Sequence, residues 1–219
     1  MFAIGVAEES ETSVILNGGM NKTLETDLSS SLQAVYVNKE IGDRFEFGRY
    51  HQGANGEVKP ITWRVLERDQ SSLLVISESG LDSKPFNKEF VDITWADCTL
   101  RAWLNDEFIN KAFCNRERSL IKTSKLVNNA GPSTEDLLFS LSEDEAGRLF
   151  SGDNDRICKS TAYAIKNGAD TYNYNAWWWL RSRCDDGGRA AGVSTVGRIS
   201  SGDVDYSNGC VRPALRLAL

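Results

Sequence analysis

Helical periodicity is confined to two stretches of this chain, and that scarcity limits its fold more than any other feature. Across 97–113, Leu100, Trp103, Leu104, Phe108, Ala112 and Phe113 fall near one face at helical spacing, and Thr94 with Asp97 resembles a capping box. The second stretch follows Leu141. There Ser142 and Glu145 form an S-x-x-E capping box, which predicts a helix to about Phe150. Elsewhere the pattern is that of short strands. Phe45 and Phe47 alternate with Glu46, Ile61, Trp63 and Val65 repeat the alternation after Pro60, and Leu73-Leu74-Val75-Ile76 is a buried run. Asp69-Gln70-Ser71-Ser72 supplies a hairpin turn between the last two. Two main helices amid short antiparallel strands predict an α+β domain, without the βαβ repetition of a doubly wound parallel sheet.

The chain's 219 residues suffice for one well-buried domain with an extension. Residues 1–40 are rich in Ser, Thr, Glu and Asn, poor in aromatics, and read as an N-terminal extension or linker with one strand around 13–16. The opening MFAIGVAEESE lacks a basic n-region and a full apolar h-region, and fits either the stub of a trimmed leader or an expression start. The domain proper is expected at 41–219. A net charge of −6 argues against nucleic acid and anionic membrane surfaces as partners. No run of about 18 apolar residues is present, so no membrane-inserting helix is expected.

A single histidine, His51, removes multi-histidine metal sites, and any Ser-His or Cys-His catalysis would have to pass through it. The five cysteines lack CxxC spacing and read as isolated small hydrophobes. Gly187-Gly188 does not join a strand to a capped helix, so it reads as a turn and not a phosphate loop. Asp153-Asn154-Asp155 places oxygens at alternate positions but lacks a calcium loop's glycine and distal glutamate. Asp185-Asp186 are adjacent and point to opposite faces of an extended chain, which suits shared acid–base work poorly. Trp177-Trp178-Trp179 reads as a core anchor with one ring facing out. Arg181 and Arg212 could bind an anion, although arginines that tie loops together are commoner. No catalytic residue, metal or cofactor is expected.

One compositional gap is more informative. Residues 182–219 contain no Lys, Glu, Gln, Met or Trp, although the whole chain has 10, 15, 3, 2 and 6 of them. At that usage the absence has a chance of about one in several hundred to a thousand. Randomising an AAC or AAT codon at its two adenines reaches every residue type except those five. The plainer alternative is a Gly/Ser-rich β region that avoids long side chains.

Several motifs occur together: Gly42-Asp43-Arg44-Phe45-Glu46-Phe47-Gly48, Pro60-Ile61-Thr62-Trp63-Arg64-Val65-Leu66, Thr99-Leu100-Arg101-Ala102-Trp103-Leu104-Asn105, Trp178-Trp179-Leu180-Arg181-Ser182 and Gly209-Cys210-Val211-Arg212-Pro213-Ala214-Leu215. In combination they resemble a bacterial domain family of unknown function over about 41–219. That family in turn resembles the C-type-lectin-like fold, shared by formylglycine-generating enzymes and by the variable proteins of diversity-generating retroelements. Arg183, where proline is usual, and Cys210, in an otherwise standard ending, depart from its pattern.

The resemblance implies a C-type-lectin-like (formylglycine-generating-enzyme-like) fold and a non-enzymatic, receptor-recognising protein with a variable region at about 182–212. Val193, Val204, Val211 and Leu215 would hold the scaffold, together with Trp178, Trp179, Leu180, Arg181, Arg212 and Pro213. The ligand-binding surface would be Arg183, Asp185, Asp186, Arg189, Ser194, Arg198, Ser200, Ser201, Asp203, Asp205, Tyr206 and Ser207. Their mix of Tyr, Ser, Asp and Arg suits adaptable recognition of a protein or cell-surface ligand. Such a role suggests a cell surface, a secreted product or a phage particle. The alternatives are a fixed-specificity glycan or cell-wall module using Trp177 or Tyr206, and more remotely a formylglycine-generating-type oxidase using Cys184 with Cys210.

Overall fold

The computed structural model describes residues 31–219. The strand expected around 13–16 lies outside the described residues. The seven strands of five or more residues are β1 (Arg44–His51), β2 (Val58–Arg68), β3 (Ser72–Ser77), β4 (Trp178–Arg183), β5 (Arg189–Val193), β6 (Ile199–Asp203) and β7 (Ala214–Ala218). The architecture is α+β, mostly strands with a few short helices.

The first sheet runs β1-β2-β3-β7 and continues to Ile121–Lys122, with Leu138–Phe139 also pairing β7. β3 is its most enclosed strand. All six residues are buried, and β7 lies antiparallel against it from Ala214↔Ile76 to Ala218↔Ser72. The turn before β3 forms as its residue types require: Asp69 accepts from the Ser71 amide at 2.7 Å and the Ser72 hydroxyl at 2.7 Å. Ahead of β1, Tyr36 is fully buried and donates its hydroxyl to the Ala218 carbonyl, so this part of the expected extension packs on the domain.

The helix expected at 97–113 runs over 99–112 but is not uniform. An α turn at Thr99–Trp103 widens to a π segment at Leu104–Phe108 and tightens again at Ile109–Ala112. Its cap also differs from expectation. The thiol of Cys98 accepts from the Arg101 amide at 3.4 Å, while Thr94 and Asp97 bond through their side chains in a turn one step earlier. Starting the helix at Thr99 leaves Asp97 outside it, so Asp97 cannot serve as the third helical residue of a box. The second helix, α1 (Glu143–Leu149), has the expected box: Ser142 Oγ accepts from the Glu145 amide at 3.1 Å, and Glu145 accepts from the Ser142 amide at 2.9 Å.

Four tryptophans fill the core, and each indole N–H has an acceptor. Trp63 donates to the Phe47 carbonyl, Trp95 to Asp136, Trp178 to the Arg156 carbonyl and Trp179 to the Lys84 carbonyl. Those bonds let large amphipathic rings be buried without an unmet donor. Arg212 is also buried. It donates to the carbonyls of Ser77 and Arg156, and its guanidinium carbon lies 4.9 Å from the Trp178 ring centre. Arg181, equally enclosed, forks onto Glu145 of α1. Both arginines thus tie elements together.

Candidate functional site

The C-terminal sheet positions the residues singled out in the sequence. Its order is β6-β5-β4, continuing to Cys210–Val211 and Asp82–Ser83. β5 and β6 pair from Arg189↔Asp203 to Val193↔Ile199. Side chains alternate across this hairpin, so Arg189, Ser201 and Asp203 share one face and Gly192, Ser200 and Gly202 the other.

The second face explains the tryptophan triplet. Trp178 and Trp179 are fully buried on opposite faces of β4, both of which are covered, and Trp177 is half-buried on the same side as Trp179. Trp177 and Trp179 meet edge to face with centroids 4.3 Å apart. Trp177 lies on glycines: a Cβ at Gly192 would fall 2.7 Å from its ring, and one at Gly209 would fall 2.0 Å from Trp179 Nε1. The glycines of this segment therefore permit close approach of two indoles, a use not evident from their irregular spacing.

None of the twelve residues proposed from sequence is buried. They do not form one patch, however. At one end of the hairpin, Arg189 donates to the Ser201 carbonyl at 3.0 Å and lies 3.4 Å from Asp203 and 3.7 Å from Asp186. The Tyr206 amide donates to the Asp203 carbonyl at 3.0 Å, and the nearby Asp203 carboxylate raises the pKa of the tyrosine. Asp205, Tyr206 and Ser207 are exposed beside it. At the other end, Ser194 caps the turn by accepting from the Arg198 amide at 3.1 Å, and Arg198 lies 3.8 Å from Asp153. About 14 Å of strand separates the two ends. Ser200 and Ser201 face opposite sides.

Arg183 is held more firmly than its neighbours. It forks onto Asp92 at 2.8 and 2.9 Å, and Asn129 brackets its backbone by accepting from its amide and donating to its carbonyl. The hydrogen bond with Asp92 raises the arginine's pKa and lowers the carboxylate's. Phe90, which is 60% exposed, packs against Gly188, so the 90–93 segment lies over the turn carrying Asp185 and Asp186. Sequence reasoning missed Phe90, Asp92 and Asn129. They belong to loops without period, where no local signal marks them.

Burial pushes the Cys98 thiol up to about 12 and raises those of Cys158, Cys184 and Cys210. Cys210 is fully buried opposite Trp178, whereas Cys184 sits beyond the far end of β4, opposite Arg189 and roughly 14 Å along the sheet. Asp153 pairs with Arg156, and Asp155 with Arg64 at 2.8 Å, so the Asp153-Asn154-Asp155 carboxylates are already partnered. Among the described residues, no three His, Cys, Asp or Glu side chains gather as metal ligands, and no helix is long and apolar enough to cross a membrane.

Residues 70–219 match the family model described as Domain of unknown function (DUF6273). The chain belongs to that family. All twelve surface positions, the tryptophan triplet and the Arg181–Glu145 pair fall within the DUF6273 segment. β1 and β2 precede it, yet β2 pairs with β3 through Val65↔Val75, so the folded unit extends beyond the DUF6273 match. No curated protein and no solved structure matches the chain.

Proposed function

We propose that this DUF6273 chain is a non-enzymatic binding protein of C-type-lectin-like fold, whose C-terminal surface recognises a protein or cell-surface ligand and is diversified by a retroelement. One observation carries the reading. Within 182–212, where Lys, Glu, Gln, Met and Trp are absent, the twelve polar candidates are exposed or half-buried, while Val193, Val204 and Val211 are fully buried between them. A frame that keeps its core fixed tolerates change at its loops. The lectin-like part of the proposal rests on the motif resemblance and agrees with the α+β architecture. The separation of Cys184 from Cys210 favours binding over an oxidase, and the packing of Trp177 leaves Tyr206 as the freer ring for a sugar.

A phage-displayed library tests the capacity directly. Randomising Arg198, Ser200, Asp205, Tyr206 and Ser207 and panning against immobilised lysozyme should yield folded, target-specific binders. Loss of folded display across the library would remove the proposal's basis.

A further inference from the structure

A short hairpin outside 182–212 carries an unusual turn. Thr171–Tyr172 pairs with Asn175–Ala176 in the register Tyr172↔Asn175, which leaves Asn173 and Tyr174 as a two-residue loop. Their φ angles are +52° and +65°, as the type I′ turns of such hairpins require, and among the described residues no other non-glycine has a positive φ. Asparagine tolerates this left-handed region and glycine fits the second position best, whereas a bulky residue there is an outlier. Tyr174 is 70% exposed and Tyr172 65%, so packing in the core does not compensate the strain.

This hairpin sits between the separated parts of the candidate surface. On one side the Asn175 side-chain amide donates to the Thr195 carbonyl at 3.1 Å, in the turn that carries Ser194 and Arg198. On the other the Asp170 amide donates to the Asn208 carbonyl at 2.9 Å, next to Ser207. Val196, which follows Thr195, is 52% exposed. Two phenol rings beside a branched aliphatic side chain suit the apolar patch of a protein, whereas a valine offers nothing to the hydroxyls of a sugar. An exposed aromatic residue held in a strained conformation lowers stability, and such strain gathers at sites that bind.

We propose that Tyr172 and Tyr174 form a fixed aromatic anchor for protein ligands, joining the two ends of the C-terminal surface into one contact area. The inference rests on the binding reading above and extends it to residues outside 182–212, which diversification of that segment would leave unchanged. Tyrosine presents a large amphipathic ring with only two side-chain torsions to immobilise. An anchor shared by all variants would thus supply affinity, while the changing neighbours set specificity.

Two measurements test the proposal. Tyr174→Gly should raise the melting temperature by about 2–4 °C, because it relieves strain without emptying a packed site. A lower melting temperature would make the ring structural and overturn the anchor. The same phage-displayed library, panned on lysozyme with the hairpin intact and again with Tyr172→Ser and Tyr174→Gly, should give at least tenfold fewer binders in the second form. Equal recovery from both would overturn the anchor and leave the binding reading standing. Recovery from neither would remove that reading and the anchor with it. Binding of the unaltered protein to a glycan array, lost in Tyr172→Ser, would put a sugar on the rings and overturn the assignment of a protein partner.

Discussion

Glu145 closes the capping box of α1 and, with the same carboxylate, accepts the fork of buried Arg181 from β4. One side chain thereby terminates a helix and fixes that helix to the sheet carrying the candidate surface. Removing it would leave a guanidinium buried without its counter-charge. Glu145→Ala should cost about 3 kcal/mol, read as a lower urea midpoint at pH 7.

The same pair sets a pH dependence. Burial pushes the Glu145 carboxyl up, but the hydrogen bonds and charge of Arg181 outweigh that and hold it below its ordinary 4.5. Asp155 is likewise held at about 2, chiefly by its hydrogen bond from Arg64. Carboxylates depressed in the folded state stabilise it above their unfolded values, and that stability is lost as pH falls through the folded ones. Stability should therefore decline from about pH 4.5 towards pH 2, and Glu145→Gln should show a shallower decline. Urea midpoints at pH 7 and pH 3 measure both.

The glycines beneath the indoles predict a sharp contrast with the serine beside them. Gly209→Ala drives a methyl into Trp179 and should cost about 3 kcal/mol, lowering the melting temperature by roughly 6–12 °C. Ser200→Ala, exposed on the same face, should change stability by less than about 0.5 kcal/mol. Thermal unfolding of the two variants gives the comparison.

Arg183 should behave unlike the other surface positions. Arg183→Ser releases Asp92 and loosens the turn it holds against Phe90, so amides near Gly187 and Gly188 should exchange faster. Asp205→Ser should leave those amides unchanged. Hydrogen exchange followed by mass spectrometry distinguishes the two.

Thiol labelling should follow burial. Cys114, exposed, should react first and Cys184, half-buried with a raised pKa, later. Cys98, Cys158 and Cys210 should react only after unfolding. Rapid paired reaction of Cys184 and Cys210 in the native protein would reopen the oxidase alternative.

What could be read in the sequence was whatever a local period encodes. The capping box of Ser142 and Glu145, the Asp69 turn, the strands around Phe45, Trp63 and Val75, and the inward tryptophans all follow from neighbours along the chain. The rest depends on partners far away in sequence. Cys98 replaced the expected Thr94 cap because the helix begins only at Thr99, and the π segment has no signature in residue type. Asp92 meets Arg183 across ninety-one positions, and the glycines of the C-terminal third take their meaning from Trp177 and Trp179. The division of the candidate surface between two ends of one hairpin required the pairing of β5 with β6.

The most direct measurement is the DNA sequence of the encoding locus from several isolates, covering the codons for 182–212 and their flanks. The account predicts substitutions confined to adenine positions of a near-identical template repeat, beside a reverse-transcriptase gene. Those substitutions should fall at exposed positions such as Ser200, Asp205 and Tyr206 and spare Val193, Val204 and Val211. Uniform codons with neither repeat nor reverse transcriptase nearby would contradict diversification and leave a binding module of fixed specificity.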